Sequence, residues 1–375
     1  MPFFDSHEHA LSAQINSHSS ATLARRGSRA SGGVKYRGFR GTIIGRLSRF
    51  LIFFLLLFVN VVLLSSLMAA ETPQELLAAG RVDQALQALE RQIQTAPTAE
   101  AYNLLCRAYF ELDAWDAGIP GCEKAVSLAP ENALYHLWLG RIEGEKADRT
   151  SFLKAAGLAK KVHSEFEKAV ALDPTSWEAR TDLAEFYLEA PAIVGGGEAK
   201  ARAQADALFP LNPGMAHWVR ARIAQKNKDM VTAEHEYRAA VEASHGGARA
   251  WVNLAGFYRH TKRLEDMEDA LRKMETGPLD RPAALMDAAG MLFRTGLDYP
   301  MAMRIVRRYL ASAPVEEWPA FKAHNLLGEL LEKQGDFKAA AEEYRTALSM
   351  AHTFSSAQEG LQRVGRAAQG LPQPS

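Results

Sequence analysis

The apolar and polar positions of residues 99–132, AEAYNLLCRAYFELDAWDAGIPGCEKAVSLAPEN, form two helical stripes separated by a turn. Tyr102, Leu105, Cys106 and Tyr109 recur at spacings of three and four, as one face of a helix requires. Gly118, Cys122 and Ala125 mark a second stripe, and Pro130 stops it. With Ala99 as position 1, these eight residues stand at positions 4, 7, 8, 11, 20, 24, 27 and 32 of a 34-residue period. The pattern predicts a helical hairpin. Small residues at 8, 20 and 27 let the two helices approach, and the residues at 4, 7, 11 and 24 fill the space between them and toward a neighbour. One hairpin cannot bury its apolar face alone, so others must stack on it.

The period recurs on both sides. An abbreviated first unit carries Gly80, Val82, Ala85 and Leu89 and ends at Pro97. A third unit from Ala133 shows Trp138, Leu139 and Gly140, after which Ala169, Leu172 and Pro174 arrive ten residues late. That insertion, near 146–161, predicts two lengthened helices. A fourth unit from Trp177 holds Leu183, Ala184 and Tyr187, and its excess of five residues falls at 191–197. Further units carry Trp218, Ala221, Ala233, Tyr237 and Ala240, then Trp251, Leu254, Ala255, Tyr258, Leu264 and Leu271. A faint seventh has Gly290, Phe293, Tyr299, Ala302 and Val306; a clear eighth has Leu327, Gly328, Leu331, Gly335, Phe337, Ala340, Tyr344 and Ala347. Ser355–Val364 reads as a solvating cap helix, and 367–375 as a flexible tail. The position set, above all in the second, sixth and eighth units, resembles the tetratricopeptide repeat (TPR) family over roughly 72–366. The resemblance implies an all-α solenoid of helical hairpins, a right-handed superhelix of about eight repeats whose concave face is lined by the first helices.

The N-terminal part has a different character. Residues 50–68, FLIFFLLLFVNVVLLSSLM, are uncharged and long enough for roughly 28 Å of helix, close to a bilayer core. Residues 1–49 carry eight Lys/Arg against Asp5 and Glu8, a net +6, whereas residues 71–375 carry −6. This asymmetry predicts a disordered basic tail over 1–41 and a signal-anchor or cleaved signal peptide over 42–70. Residue 71 onward is expected outside the cytoplasm, periplasmic, either anchored or released by cleavage near Ala69–Ala70. The acidic body argues against nucleic acid as a partner. His7-Glu8-His9 is a weak metal signal in a polar tail, and no metal or cofactor is expected.

Nothing in the sequence reads as a catalytic constellation: HExxH, GxSxG, CxxC and the Walker loop are missing. Gly195-Gly196-Gly197 with Lys200 has the flavour of a phosphate cradle but the wrong spacing, and a widened hairpin turn is the better reading. The repeat resemblance puts Cys106 and Cys122 level across one hairpin. A disulfide and two buried thiols are both open readings, the first requiring export. It also implies a partner groove at positions 2, 5, 9 and 12 of the first helices: Asn103, Arg107, Arg141, Glu185, Trp218, Arg222, Arg249, Arg259, Asn325 and Glu329. The recurring Arg suits an acidic protein or peptide partner. The clamp by which some family members hold chaperone termini needs Lys at 5 and Asn at 9 of one unit, a pair that no unit here has. The expected function is a non-enzymatic protein-interaction scaffold of the cell envelope, with a small-molecule or lipid carrier as the alternative.

Overall fold

The computed structural model describes residues 71–312 and 314–369, apart from the side chains of 152–154. The expectations for 1–41 and for 42–70, including the apolar stretch 50–68, lie outside the described residues. Among the latter, no helix is long and apolar enough to cross a membrane.

The described chain is a stack of eight antiparallel helical hairpins followed by one more helix. The pairs are α1 (Pro73–Ala78) with α2 (Val82–Thr95), α3 (Ala99–Glu111) with α4 (Trp115–Leu128), α5 (Ala133–Asp148) with α6 (Phe152–Leu172), and α7 (Trp177–Glu189) with α8 (Glu198–Leu208). They continue as α9 (Pro213–Lys226) with α10 (Met230–Ala243), α11 (Ala248–His260) with α12 (Leu264–Thr276), α13 (Ala283–Thr295) with α14 (Tyr299–Leu310), and α15 (Ala320–Lys333) with α16 (Phe337–Met350). The last helix, α17 (Ser355–Ala368), covers the eighth hairpin.

Local chemistry places the boundaries. Thr98, Asn132, Ser176 and Asn212 accept from backbone N–H groups of the first turns that follow them, satisfying donors the helix cannot. Thr72 and Glu75 form a reciprocal capping box on α1. Most turns inside hairpins pass through one left-handed residue: Gly80, Asp113, Lys228, Lys262, Gly296 and Gly335 all have φ between 58° and 82°. Small residues set the helix spacing. A Cβ on Gly140 would lie 2.5 Å from the Phe166 ring, and one on Gly328 2.8 Å from that of Tyr344. Most of the buried apolar side chains form one continuous core, which starts with Leu76 and ends with Val364.

The two irregular units have distinct physical forms. The insertion near 146–161 is absorbed as helix: α5 has 16 residues and α6 has 21, against 13 and 14 in the preceding hairpin. The excess at 191–197 forms a 3-10 turn at Ala192–Val194 followed by three glycines. Gly196 is required there, because a Cβ would fall 1.8 Å from the Ala190 carbonyl oxygen.

The array also closes on itself. The turn of the first hairpin packs against the start of α15, where a Cβ on Gly80 would lie 2.5 Å from the Ala320 nitrogen. α2 touches α16, and Asp83 accepts from the His352 backbone N–H at 2.8 Å. Lys322 on α15 reaches Glu111 at 3.5 Å and Asp113 at 3.4 Å.

Candidate functional site

The first helices of successive hairpins carry a ladder of charge. Arg107, Arg141, Glu185 and Arg222 hold matching places on α3, α5, α7 and α9. Each is engaged. Arg141 Nε donates to Asp182 at 2.7 Å, one hairpin further on. Arg222 Nη2 donates to Glu189 at 2.8 Å, and its Nη1 lies 3.8 Å from Glu185, one hairpin back. Arg107 instead crosses the seam, donating from Nε to Glu316 at 2.6 Å and from Nη2 to its second oxygen. Trp138 sits between two guanidiniums, with the Cζ atoms of Arg107 and Arg141 5.2 and 5.1 Å from its ring centroid. That stacking suits the planar, weakly hydrated guanidinium.

Of the ten groove residues expected from the sequence, Asn103, Arg107, Arg141, Glu185, Trp218 and Asn325 are buried, while Arg222, Arg249, Arg259 and Glu329 are half-buried. Arg107 and Arg141 are brought together around Trp138, and Glu185 with Arg222. Arg222 also lies over Trp218, and Arg249 over Trp177. Asn325 donates to Glu329 at 3.1 Å. Among the described residues nothing accepts from Arg141 Nη1 or Nη2, or from Asn103 Nδ2, although all three atoms are buried. The unmet atoms of these two groove residues are donors, which matches a partner rich in carboxylates or carbonyls, whereas Asn325, further along the groove, has a buried Oδ1 that no described residue donates to.

Several functional-looking residues carried no signal in the sequence. Asp182 and Glu111 fall on helix faces where a polar residue is unremarkable. Glu316 lies in the connection between α14 and α15, outside every periodic position. Burial pushes the Glu111 carboxyl up to about 8 against the pull of Lys322, and burial raises Glu143 to about 7 against Lys161.

Cys106 and Cys122 are fully buried beside Trp138, Leu139 and Ile142. Their Cα atoms are 5.2 Å apart and their sulfurs are in bonding contact, a geometry that accepts a disulfide. The glycine-rich turn closes on itself: Lys200 Nζ donates to the Gly195 carbonyl at 2.9 Å, so its ammonium serves the turn. A solvent-open cleft lies at the end of the long hairpin, lined by Asp116, Lys146, Thr150, Ser151 and Leu158. Lys146 and Asp116 pair at 2.5 Å along its wall. Among the described residues, no group of three His, Cys, Asp or Glu is placed to hold a metal ion.

A family model described as a tetratricopeptide repeat matches residues 288–354, from within α13 to just past α16. Among solved structures the chain is similar to yeast Tom70, at 14% identity and a TM-score of 0.47, covering 77% of this chain and 59% of that one. It is similar to the APC/C hetero-tetramer Cut9–Hcn1 at 13% identity and a TM-score of 0.35, with 77% and 54% covered. A tetratricopeptide repeat protein from Parabacteroides merdae matches at 15% identity and a TM-score of 0.36, with 74% and 99% covered. The chain thus spans between half and three-fifths of the length of the first two. No curated protein sequence matches it. The tetratricopeptide repeat pattern is thus matched over 288–354, and helical hairpins of like form stack ahead of it.

Proposed function

We propose that the protein is a non-enzymatic interaction scaffold that takes an acidic protein or peptide segment on its concave face. The observation that carries this reading is the pair of buried cationic or amide side chains, Arg141 and Asn103, whose free atoms are all donors. A partner bringing carboxylates or backbone carbonyls would meet them, and the neighbouring Arg107 would add a second guanidinium. Pull-down from solubilised membranes with the wild type and with an Arg107→Ala/Arg141→Ala double variant tests it. The variant is expected to lose the partner; unchanged recovery would sink the residue assignment.

We further propose that the apolar segment 50–68 anchors the chain and that the repeats lie outside the cytoplasm, with signal-peptide cleavage as the competing outcome. The charge asymmetry around the segment supports this orientation. Mass spectrometry of the mature N-terminus decides between the two, and recovery of the full chain from the cytosolic fraction would overturn both.

A small-molecule carrier is the second reading, favoured by the closed seam between the first and eighth hairpins. Native mass spectrometry of the purified protein tests it through a reproducible mass excess that denaturation removes.

A further inference from the structure

The connection between α14 and α15 is pinned on either side of two residues, Glu316 and Glu317. Tyr309 Oη accepts from the Val315 backbone N–H at 2.9 Å and donates to the Trp318 carbonyl. Trp318 Nε1 donates to Asp287 at 2.8 Å. Of two adjacent carboxylates, Glu317 stays within this part of the chain, accepting from Arg281 Nη2 at 2.8 Å. Glu316 turns the other way and takes the Arg107 guanidinium with both oxygens, 209 residues away in sequence. Both side chains are nine-tenths buried, at 8% and 9% exposure.

Arg107 is unlike the other rungs of the ladder. Arg141 and Arg222 are answered by carboxylates on helices of adjoining hairpins, which stay in place whatever the seam does. Arg107 is answered from a short non-helical segment on the far side of a seam. The seam also holds a glycine packed on Ala320, Lys322 between Glu111 and Asp113, His352 on Asp83, and α2 against α16. A bidentate carboxylate is what an acidic side chain of a partner would itself offer to Arg107.

We propose that Glu316 is a built-in occupant of a carboxylate site: the 314–319 segment holds the array closed by presenting Glu316 to Arg107, and an acidic peptide segment opens the seam by replacing it. This rests on the acidic-partner reading above. The closed form is then the resting state, and the apparent affinity for an acidic ligand is lowered by the fraction of molecules that are closed.

The full-length protein in detergent is compared as wild type, Glu316→Ala, Arg107→Ala and the charge swap Arg107→Glu/Glu316→Arg. Seam opening is read by amide hydrogen exchange over 99–113 and 314–322, and binding by titration with hexaglutamate at low salt, with hexaglutamine as control. Glu316→Ala is expected to exchange faster on both sides of the seam and to bind hexaglutamate about tenfold more tightly than wild type. Arg107→Ala is expected to open the seam without that gain. The swap is expected to restore slow exchange and to leave hexaglutamate unbound, which also guards against a folding defect in the single variants. If Glu316→Ala exchanges like wild type, the latch is wrong whatever the peptide does. If it opens and hexaglutamate binds no better, the acidic-ligand reading falls, and the proposed occupancy with it, while the closing contact remains.

Discussion

At the scale of single residues, burial decides which side chains have consequences. Glu111 is nearly inaccessible, and four charged groups face it: Lys322, Asp113, Glu316 and, beyond Glu316, Arg107. Its carboxyl is raised from 4.5 to about 8, so the folded state holds a proton that the unfolded chain has released. The stability this contributes is complete below 4.5 and is lost as pH rises toward 8. Thermal unfolding of wild type is therefore expected to show a melting temperature that falls between pH 5 and pH 8. Glu111→Gln, which keeps a neutral side chain at every pH, flattens that slope; an equal slope in both proteins removes Glu111 as its source. The cysteine pair gives a second prediction. An oxidised Cys106–Cys122 link closes a loop of about 15 residues and adds about 3 kcal/mol through the unfolded state. Thiol counting on denatured, unreduced protein should find none, and reduction should lower the denaturant midpoint. Two titratable thiols would assign these residues to packing alone. Their placement within one 34-residue unit was legible from the sequence, because the period itself sets Cys106 and Cys122 level.

At the scale of elements, hairpins are written in the chain by spacing, and turns by conformation. The apolar period identified the second, sixth and eighth hairpins directly, and α13–α14 only faintly, because Gly290 and Phe293 are all that remain of the first-helix pattern. The turns were less legible. Asp113, Lys228 and Lys262 take left-handed conformations that would have suggested glycine, and only their place in the repeat marks them as turns. The energetic meaning can be isolated at two glycines with open space around the missing Cβ. Gly335 sits at φ 82° after α15, and the Asp336 N–H returns to the Leu331 carbonyl at 3.0 Å in the pattern of a left-handed helix end. Gly365 is exposed within α17. Gly335→Ala is expected to cost about 1–2 kcal/mol of backbone strain, whereas Gly365→Ala is expected to gain about 0.5 kcal/mol in helix propensity. Chemical denaturation of both variants gives opposite shifts in midpoint; shifts of the same sign would show that packing, not backbone conformation, governs the two sites.

At the scale of the molecule, the sequence reads a linear stack, and among the described hairpins the structure brings the first against the eighth. Repeat periodicity encodes contacts between neighbours, and it carries no information about whether the first hairpin meets the eighth. Arg107 and Glu316, Asp83 and His352, and Gly80 and Ala320 are each separated by more than 200 residues, and Glu316 lies outside the repeat pattern altogether. The same limit explains why Arg107 is so deeply covered: its position in the helix was readable, but not the seam from which Glu316 reaches it. Closure also changes how the molecule should respond to damage. In an open solenoid, stability is a sum over repeats and nearest-neighbour interfaces, so a local disruption spreads to adjacent hairpins and stops. In the closed array a disruption on α15 must reach α2 and α3 as well. Ala320→Leu places a branched side chain where the Gly80 turn leaves no room. Hydrogen exchange is expected to rise around residue 320 and, across the seam, over 80–113, while α7 to α10 stay protected at wild-type levels. Faster exchange confined to α14, α15 and α16 would mean that the array behaves as an open stack, and that the pairing of Arg107 with Glu316 contributes nothing to holding its ends together.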